Sequence, residues 1–343
     1  MTISMTTAFI IVGLTFTLSL LSVSLIRKYL QNQLLDIPND RSSHTQPTPR
    51  GGGLGFIIAF AIAFPIAQSV IPDLTTGISP LLWLTLIPLI AIGILDDWRS
   101  LSSRVRYLVQ LSVAVAVVYN CGPFPVPGLD QLGALGIWLA VGLTVIGVTA
   151  LINFYNFMDG LDGLIAGVSA VQLGFLVLWL YQPVLLLWVA SLIGFLYWNW
   201  APAKIFMGDA GSTTLGAIVS LSLLSPPQPD LGLSWMTLAI LSPLVGDAVY
   251  TLCRRLWRRE NIFKAHCSHL YQRLHKAGWS HAQVAGLYVT LTWAIALGLA
   301  QIGASAAWIT LAATPLAIAL AETYLSHPSQ PEAYKTPQLA NED

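Results

Sequence analysis

The sequence predicts an all-α, polytopic membrane protein on three observations: long apolar runs, scarce charge, and cations confined to one side. Of its 343 residues 55% are hydrophobic and 9% charged, against roughly a quarter charged in a soluble domain. Mean hydropathy is +0.69. A hydrocarbon core about 30 Å thick needs roughly 20 mostly apolar residues per helix. Eleven runs read this way: 5–26, 53–71, 79–95, 106–121, 134–152, 164–181, 183–199, 211–225, 233–253, 281–302 and 305–325, with ten crossings as the alternative count. Residues 1–325 thus read as a single transmembrane domain.

Charge orients these elements. No Lys or Arg precedes the first run and Arg27–Lys28 follows it, the wrong order for a signal peptide and the right one for an anchoring helix with its N-terminus outside. Alternation then puts 27–52, 96–105, 153–163, 200–210, 254–280 and the tail on the inside. All sixteen Lys and Arg fall there, Arg106 at the inner edge of its span. The opposite loops carry only Asp73, Asp130 and Asp230. Lys and Arg mark cytoplasmic loops, so these segments are expected in the cytoplasm. The tail 326–343 is polar and unpatterned, with disorder expected. Cys121, Cys253 and Cys267 are far apart without CxxC spacing and suggest neither a disulfide framework nor a thiolate metal site. No internal repeat is evident.

The concentrated polar clusters lie on this inner face. They are Arg41, His44 and Arg50 with Gly51–Gly53; Asp96–Asp97; Asn153-Phe-Tyr-Asn156-Phe-Met-Asp159-Gly-Leu-Asp162-Gly; Asn199 through Lys204 to Gly208-Asp209-Ala-Gly211-Ser212; Asp247; and Arg254, Arg255, His266 and His269. Converging carboxylates want a cation, and hard oxygen ligands suit Mg²⁺, which takes one or two carboxylates plus substrate phosphate. Arginines and histidines suit phosphate oxygens. Together they suggest phosphoryl transfer.

Each cluster also has a plainer reading. Asp96–Asp97 would serve as a solvated helix end, and Gly208-Asp209 as a cap for the apolar helix it opens. The set from Asn156 to Asp162 exceeds what capping needs, since its polar groups recur every three residues on one helical side. Asp247 lies inside a predicted span, about 9 Å from its inner end at 1.5 Å per residue. It reads as functional or as paired with a neighbouring helix. Positive-inside anchoring accounts for the arginine run, an ordinary solvated loop would accommodate His266 and His269, and interface belts account for most tryptophans.

With these residues in view, the chain resembles the polyprenyl-phosphate N-acetylhexosamine-1-phosphate transferases, glycosyltransferase family 4, which includes phospho-N-acetylmuramoyl-pentapeptide translocase and the enzymes that start O-antigen lipid intermediates. The matching stretches are Pro38-Asn-Asp-Arg41-Ser-Ser-His44, Pro47-Thr-Pro-Arg-Gly-Gly-Gly53, Leu95-Asp-Asp97, Asn153 to Gly163, Phe206-Met-Gly-Asp-Ala-Gly-Ser212 and His266-Cys-Ser-His269-Leu-Tyr-Gln-Arg273. They span nearly the whole membrane domain in the family's order.

The resemblance implies a catalytic set of Asp96, Asp97 and Asp209. Asp209 matches the Mg²⁺-binding aspartate, with Asn156 near the metal and Mn²⁺ as a substitute cation. Asp96 and Asp97 match paired aspartates, one of them argued to deprotonate the lipid phosphate. Asn199 and Phe206 match positions that recognise and stack on uracil, and Asp159 and Asp162 line the nucleotide pocket. Arg41, His44, Arg50, Lys204, His266 and His269 are the candidates for phosphate and sugar. Where many members have three histidines, Ser268 stands beside two. The implied partners are a UDP-sugar, undecaprenyl phosphate and membrane lipid, without nucleic acid; a homodimer is a further expectation. The implied place is the inner (plasma) membrane.

The expected reaction moves sugar-1-phosphate from UDP to undecaprenyl phosphate and releases UMP. The patterns around Phe154-Tyr155 and from His266 to Arg273 look more like the O-antigen or exopolysaccharide branch than the peptidoglycan branch, with GlcNAc, FucNAc and QuiNAc as candidate sugars. A transporter is the alternative class, but transporter sites sit near the bilayer midplane, commonly between repeats.

Overall fold

A computed structural model of the chain describes residues 2–38, 42–225, 231–261 and 266–326. Its helices are α1 (Thr2–Leu30), α2 (Gly53–Val70), α3 (Pro80–Trp83), α4 (Ile87–Arg99), α5 (Ser103–Cys121), α6 (Gly133–Phe157), α7 (Leu164–Trp179), α8 (Leu185–Asn199), α9 (Asp209–Leu224), α10 (Leu231–Leu238), α11 (Ser242–Trp257), α12 (Leu270–Lys276), α13 (His281–Ile302) and α14 (Ala304–Ser326). The protein is an all-α polytopic membrane protein. Each of the eleven apolar runs becomes helical. Among the described residues seven are long and apolar enough by themselves to cross a bilayer; α7, α8 and α9 are shorter apolar helices, and α5 falls in neither group.

Two expected spans are broken rather than straight. A short 3₁₀ turn joins α3 to α4 at Leu84–Leu86, and another joins α10 to α11 at Ala239–Leu241. Pro88 and Pro243 stand in the first turn after each break, where a missing N–H is tolerated. Helices also run further into the loops expected on the inside than hydropathy marks. Asp96 and Asp97 belong to α4, which ends at Arg99 with Ser100 left-handed behind it. Asn153 and Asn156 belong to α6. The expected loop 254–280 contains the last turn of α11 and all of α12. The segment between α1 and α2 is closed by a two-residue antiparallel ladder, Leu35–Asp36 against Thr48–Pro49.

The bundle is built around α9. Every residue from Ala210 to Leu224 is buried, and α2, α4, α5, α6 and α7 all pack on it. At 16 residues it is about 24 Å long, shorter than a bilayer core, but protein rather than lipid surrounds it. Three of its hydroxyls bond back along the helix: Thr213 to the Asp209 carbonyl (2.6 Å), Ser220 to Gly216 (2.7 Å), Ser222 to Ile218 (2.8 Å).

Small residues let neighbouring backbones approach its N-terminus, as in membrane helix packing generally. A Cβ on Gly53 of α2 would stand 2.5 Å from the Gly211 Cα, and one on Gly93 of α4 would stand 2.3 Å from the Ala210 Cα. Asp209 is thereby drawn to the ends of α2 and α4. At the periphery α14 buries only Ala306, Ala307 and Thr310. Its large exposed side chains, such as Trp308 and Leu316, suit a lipid surface.

Candidate active site

One end of the bundle holds a cavity of about 420 Å³. Of the residues expected from sequence, His44, Arg50, Asp97, Asn156, Asp159, Asp162, Asn199, Phe206, Asp209 and His266 line it. They come from the 42–52 segment, α4, α6, the 158–163 turn, α8, the 200–208 loop, α9 and the segment before α12. Asp36, Ser43, Gln272 and His281 also line it, though sequence reasoning had passed over them. Arg41 lies outside the described residues, as do Asp230 and the tail 327–343.

Backbone pairing assembles this end. Gly52 N–H donates to the Phe206 carbonyl at 2.9 Å, Gly53 N–H to Met207 at 2.8 Å, and Phe206 N–H to Pro49 at 2.8 Å. The segment between α1 and α2 and the 200–208 loop thus form one surface. Gly208 has φ +79°, and a Cβ there would lie 2.7 Å from Asp97 Oδ2, so glycine suits both the left-handed backbone and the close carboxylate. Asp97 Oδ1 accepts the Asp209 N–H at the start of α9 (3.1 Å). Arg50 holds Asp97 from the other side, with Nη2 donating to its carbonyl at 2.9 Å and Nε 3.4 Å from Oδ1.

Several polar side chains brace the loops around the opening. Asn199 accepts from Gly163 N–H (3.1 Å) and donates to the Ile205 carbonyl (3.0 Å). Asp162 Oδ2 accepts the Ala203 N–H at 2.9 Å. Asn156 Oδ1 accepts from the Ser212 hydroxyl at 2.8 Å. His44 meets the Phe206 ring edge-on at 4.8 Å between centroids. His281 reaches the Ser43 carbonyl with Nε2 at 2.9 Å and Asp162 Oδ1 with Nδ1 at 3.1 Å.

Three expected residues do not line the cavity. Asp96 is buried behind Asp97, where its carboxylate takes the Leu101 N–H (2.6 Å) and Arg106 (2.8 Å). Lys204 lies over the Trp198 and Tyr197 rings, 5.4 and 5.6 Å from their centroids. His269 is 2% exposed, with Nδ1 3.5 Å from Asp247 Oδ1. Asp247 is spent on the protein itself, accepting from the N–H groups of Leu270 (2.8 Å) and Tyr271 (3.1 Å) and the Tyr288 hydroxyl (2.7 Å). It docks the start of α12, which is the structural side of its two sequence readings. Ser268 bonds the His266 ring at 3.0 Å.

The electrostatics are those of crowded acids. Burial first, then the charges of Asp209, Asp97 and Asp162, push the Asp159 carboxyl up to about 8, because like charges in a low-dielectric site resist ionising together. His266 is pushed the other way, to about 4, by burial and by neighbouring His269 and Arg255. Such an acid cluster gains from a bound cation. Among the described residues no three acidic, imidazole or thiolate side chains form a metal cage by themselves. Mg²⁺ seldom needs one, because substrate phosphate and water complete its shell. The oxygen donors present fit that ion.

Residues 79–225 match the family described as Glycosyl transferase family 4. The Bacillus subtilis (strain 168) protein named "Probable undecaprenyl-phosphate N-acetylglucosaminyl 1-phosphate transferase" is 31% identical over 314 residues, covering 86% of each chain. The "Undecaprenyl-phosphate alpha-N-acetylglucosaminyl 1-phosphate transferase" of Yersinia pestis is 32% identical over 79% of this chain and 76% of its own. The protein of that name from Escherichia coli (strain K12) is 31% identical over the same shares. Fold and site define a polytopic membrane enzyme class whose polar chemistry gathers at one end of the bundle. The chain belongs to glycosyl transferase family 4, among the polyprenyl-phosphate N-acetylhexosamine-1-phosphate transferases.

Proposed function

We propose that the chain transfers an N-acetylhexosamine 1-phosphate from a UDP-sugar to undecaprenyl phosphate at the cytoplasmic face of the plasma membrane, releasing UMP. The observation that carries this reading is that Asp97, Asp159, Asp209, Arg50 and His44 all line one cavity at one end of a membrane bundle. Its volume lies in the range of small-molecule sites. A lipid acceptor needs a membrane-embedded enzyme, and a nucleotide donor needs an opening to water.

An oxygen of the lipid phosphate attacks the β-phosphorus of the UDP-sugar. A new phosphoanhydride bond forms as the bond from that phosphorus to the bridging oxygen breaks, and the oxygen leaves with UMP. Asp97, the cavity-facing member of its pair, is the candidate to hold the acceptor phosphate's proton. Asp96 acts behind it through Arg106. Arg50 and His44 face the diphosphate, Phe206 offers a ring to the base, and Asn199 and Asp162 keep the 200–208 loop in place. Asp209 with Asn156 would hold Mg²⁺, or Mn²⁺ in its stead. When bound, that cation neutralises diphosphate oxygens and offsets charge on the leaving UMP. Positioning and electrostatics supply most of the catalysis.

GlcNAc is the first sugar to test, because it appears in the names of the relatives. The experiment is UMP release by detergent-purified protein with undecaprenyl phosphate across a UDP-sugar panel. Release with an N-acetylhexosamine donor is expected. Absence of release with every donor, in protein shown to be folded, would overturn the proposal, and a transporter would give that result.

A further inference from the structure

The last helix, α14, faces lipid along most of its length and carries one charged residue, Glu322. An ionisable group on an apolar helix is costly unless partnered. Glu322 takes partners from two other helices. Tyr250 of α11 donates to Oε1 at 2.5 Å, and Arg254 Nε lies 3.8 Å from the same oxygen. Arg273 of α12 grips the carboxylate in fork fashion, Nη1 on Oε1 and Nη2 on Oε2 at 2.9 Å. Two residues along, the Tyr324 hydroxyl accepts from Trp279 Nε1, just past α12, at 3.1 Å.

At seven residues α12 is too short to be stable alone, so its anchors decide where it sits. Asp247 fixes its start, and the Tyr271 hydroxyl ties it to the Phe157 carbonyl at 3.0 Å. Gln272, next to Arg273 in sequence, lines the cavity, as do His266 and Cys267 just before the helix. One helix thus presents Arg273 to α14 and Gln272 to the site.

We propose that Glu322 is a positioning residue for the transfer reaction: through Arg273 it fixes α12, and so holds Gln272 and His266 against the donor's diphosphate-sugar. This rests on the function proposed above. A bidentate arginine–carboxylate pair sets direction as well as distance, which a hydrophobic contact at this position would not do. Displacement of a group facing the reacting phosphate acts on the chemical step more than on ground-state binding.

The test uses the full chain in detergent, with Cys121→Ser and Cys253→Ser so that Cys267 reports on the segment. Glu322→Ala and Arg273→Met are each expected to lower kcat per folded molecule about tenfold or more, with a smaller change in donor KM. The double variant should be no worse than the poorer single, because both break one contact. Maleimide labelling of Cys267 should quicken several-fold in each. Glu322→Gln, which keeps an acceptor oxygen, should recover part of kcat and serves if the alanine variant fails to fold. An unchanged kcat with a lowered melting temperature would reduce Glu322 to a structural strut and overturn the proposal, as would multiplicative losses in the double variant. If the wild type releases no UMP from any donor, the function fails instead; Cys267 labelling still decides whether Glu322 sets the segment's position.

Discussion

Arg106 ties Asp209 to the acid pair of α4: its Nη1 lies 3.1 Å from Asp209 Oδ2 and 2.8 Å from Asp96 Oδ2. One cation therefore serves two acids from different helices, one of them the group proposed to hold the metal. Arg106→Met should lower kcat about ten- to a hundredfold, the equivalent of one lost charge-assisted hydrogen bond at about 1.5–3 kcal/mol. Arg106→Lys should recover part of it, since a point charge remains without the fork. Wild-type turnover in the methionine variant would show that the bridge has no part in the reaction.

The metal assignment makes a separate demand on Asp209. Asp209→Asn should nearly abolish turnover in folded protein. EDTA should silence the wild type, with Mg²⁺ or Mn²⁺ restoring it. A binding readout accompanies this: Mn²⁺ should raise the wild-type melting temperature, by linkage, and leave that of Asp209→Asn where it was. Full activity in chelated protein would remove the cation from the mechanism.

Phe206 and Asp97 should separate binding from chemistry. A ring that stacks on the base serves substrate and transition state alike, so Phe206→Ala should raise donor KM about tenfold, as expected for a lost stack of about 1–3 kcal/mol. Asp97→Asn should act mainly on kcat. Steady-state kinetics on purified variants decides, and an unchanged KM would take Phe206 out of the nucleotide site.

His266 should leave a mark on acid stability. Its folded value of about 4 lies below the ordinary 6.5, so between these values the unfolded chain binds more protons than the folded one. Stability therefore falls as pH drops from about 6.5 towards 4. His266→Gln should flatten this fall, seen as a smaller difference in melting temperature between pH 7.5 and pH 5. Equal differences in both proteins would show that the imidazole is not held neutral.

Close backbone approach at the N-terminus of α9 gives a packing prediction. Gly93→Val puts a branched side chain where even a Cβ stands 2.3 Å from Ala210. The variant should lose folded yield or several degrees of melting temperature, with cost of at least about 1–3 kcal/mol from overpacking. A stable variant would mean that α4 and α9 can part without loss.

Much of the architecture was legible because a bilayer imposes length and apolarity on each crossing. The breaks before Pro88 and Pro243 were not, since apolar 3₁₀ turns have the same hydropathy as the helices beside them. The clusters around Asp97, Asp159 and Asp209 were legible from their spacing and family pattern, and the fold draws them to one cavity. Arg106 and His281 were passed over, although each carried a signal: a cation in the first turn of an apolar helix, and a histidine opening another behind the Ser280 capping box.

The sequence by itself determined an all-α membrane chain, its family and the residue types of its chemistry, because hydropathy and motif spacing are local properties. Tertiary structure decided which member of each pair lines the cavity. Asp97 faces the cavity and Asp96 turns to Arg106; His266 faces it and His269 turns to Asp247. Asp96 and Asp97 diverge because adjacent helical positions point about 100° apart, whereas His266 precedes α12 and His269 stands at its N-cap; in both pairs only the packed neighbours fix which direction is the cavity. The same reason hides Glu322, whose partners lie 49 to 72 residues away along the chain.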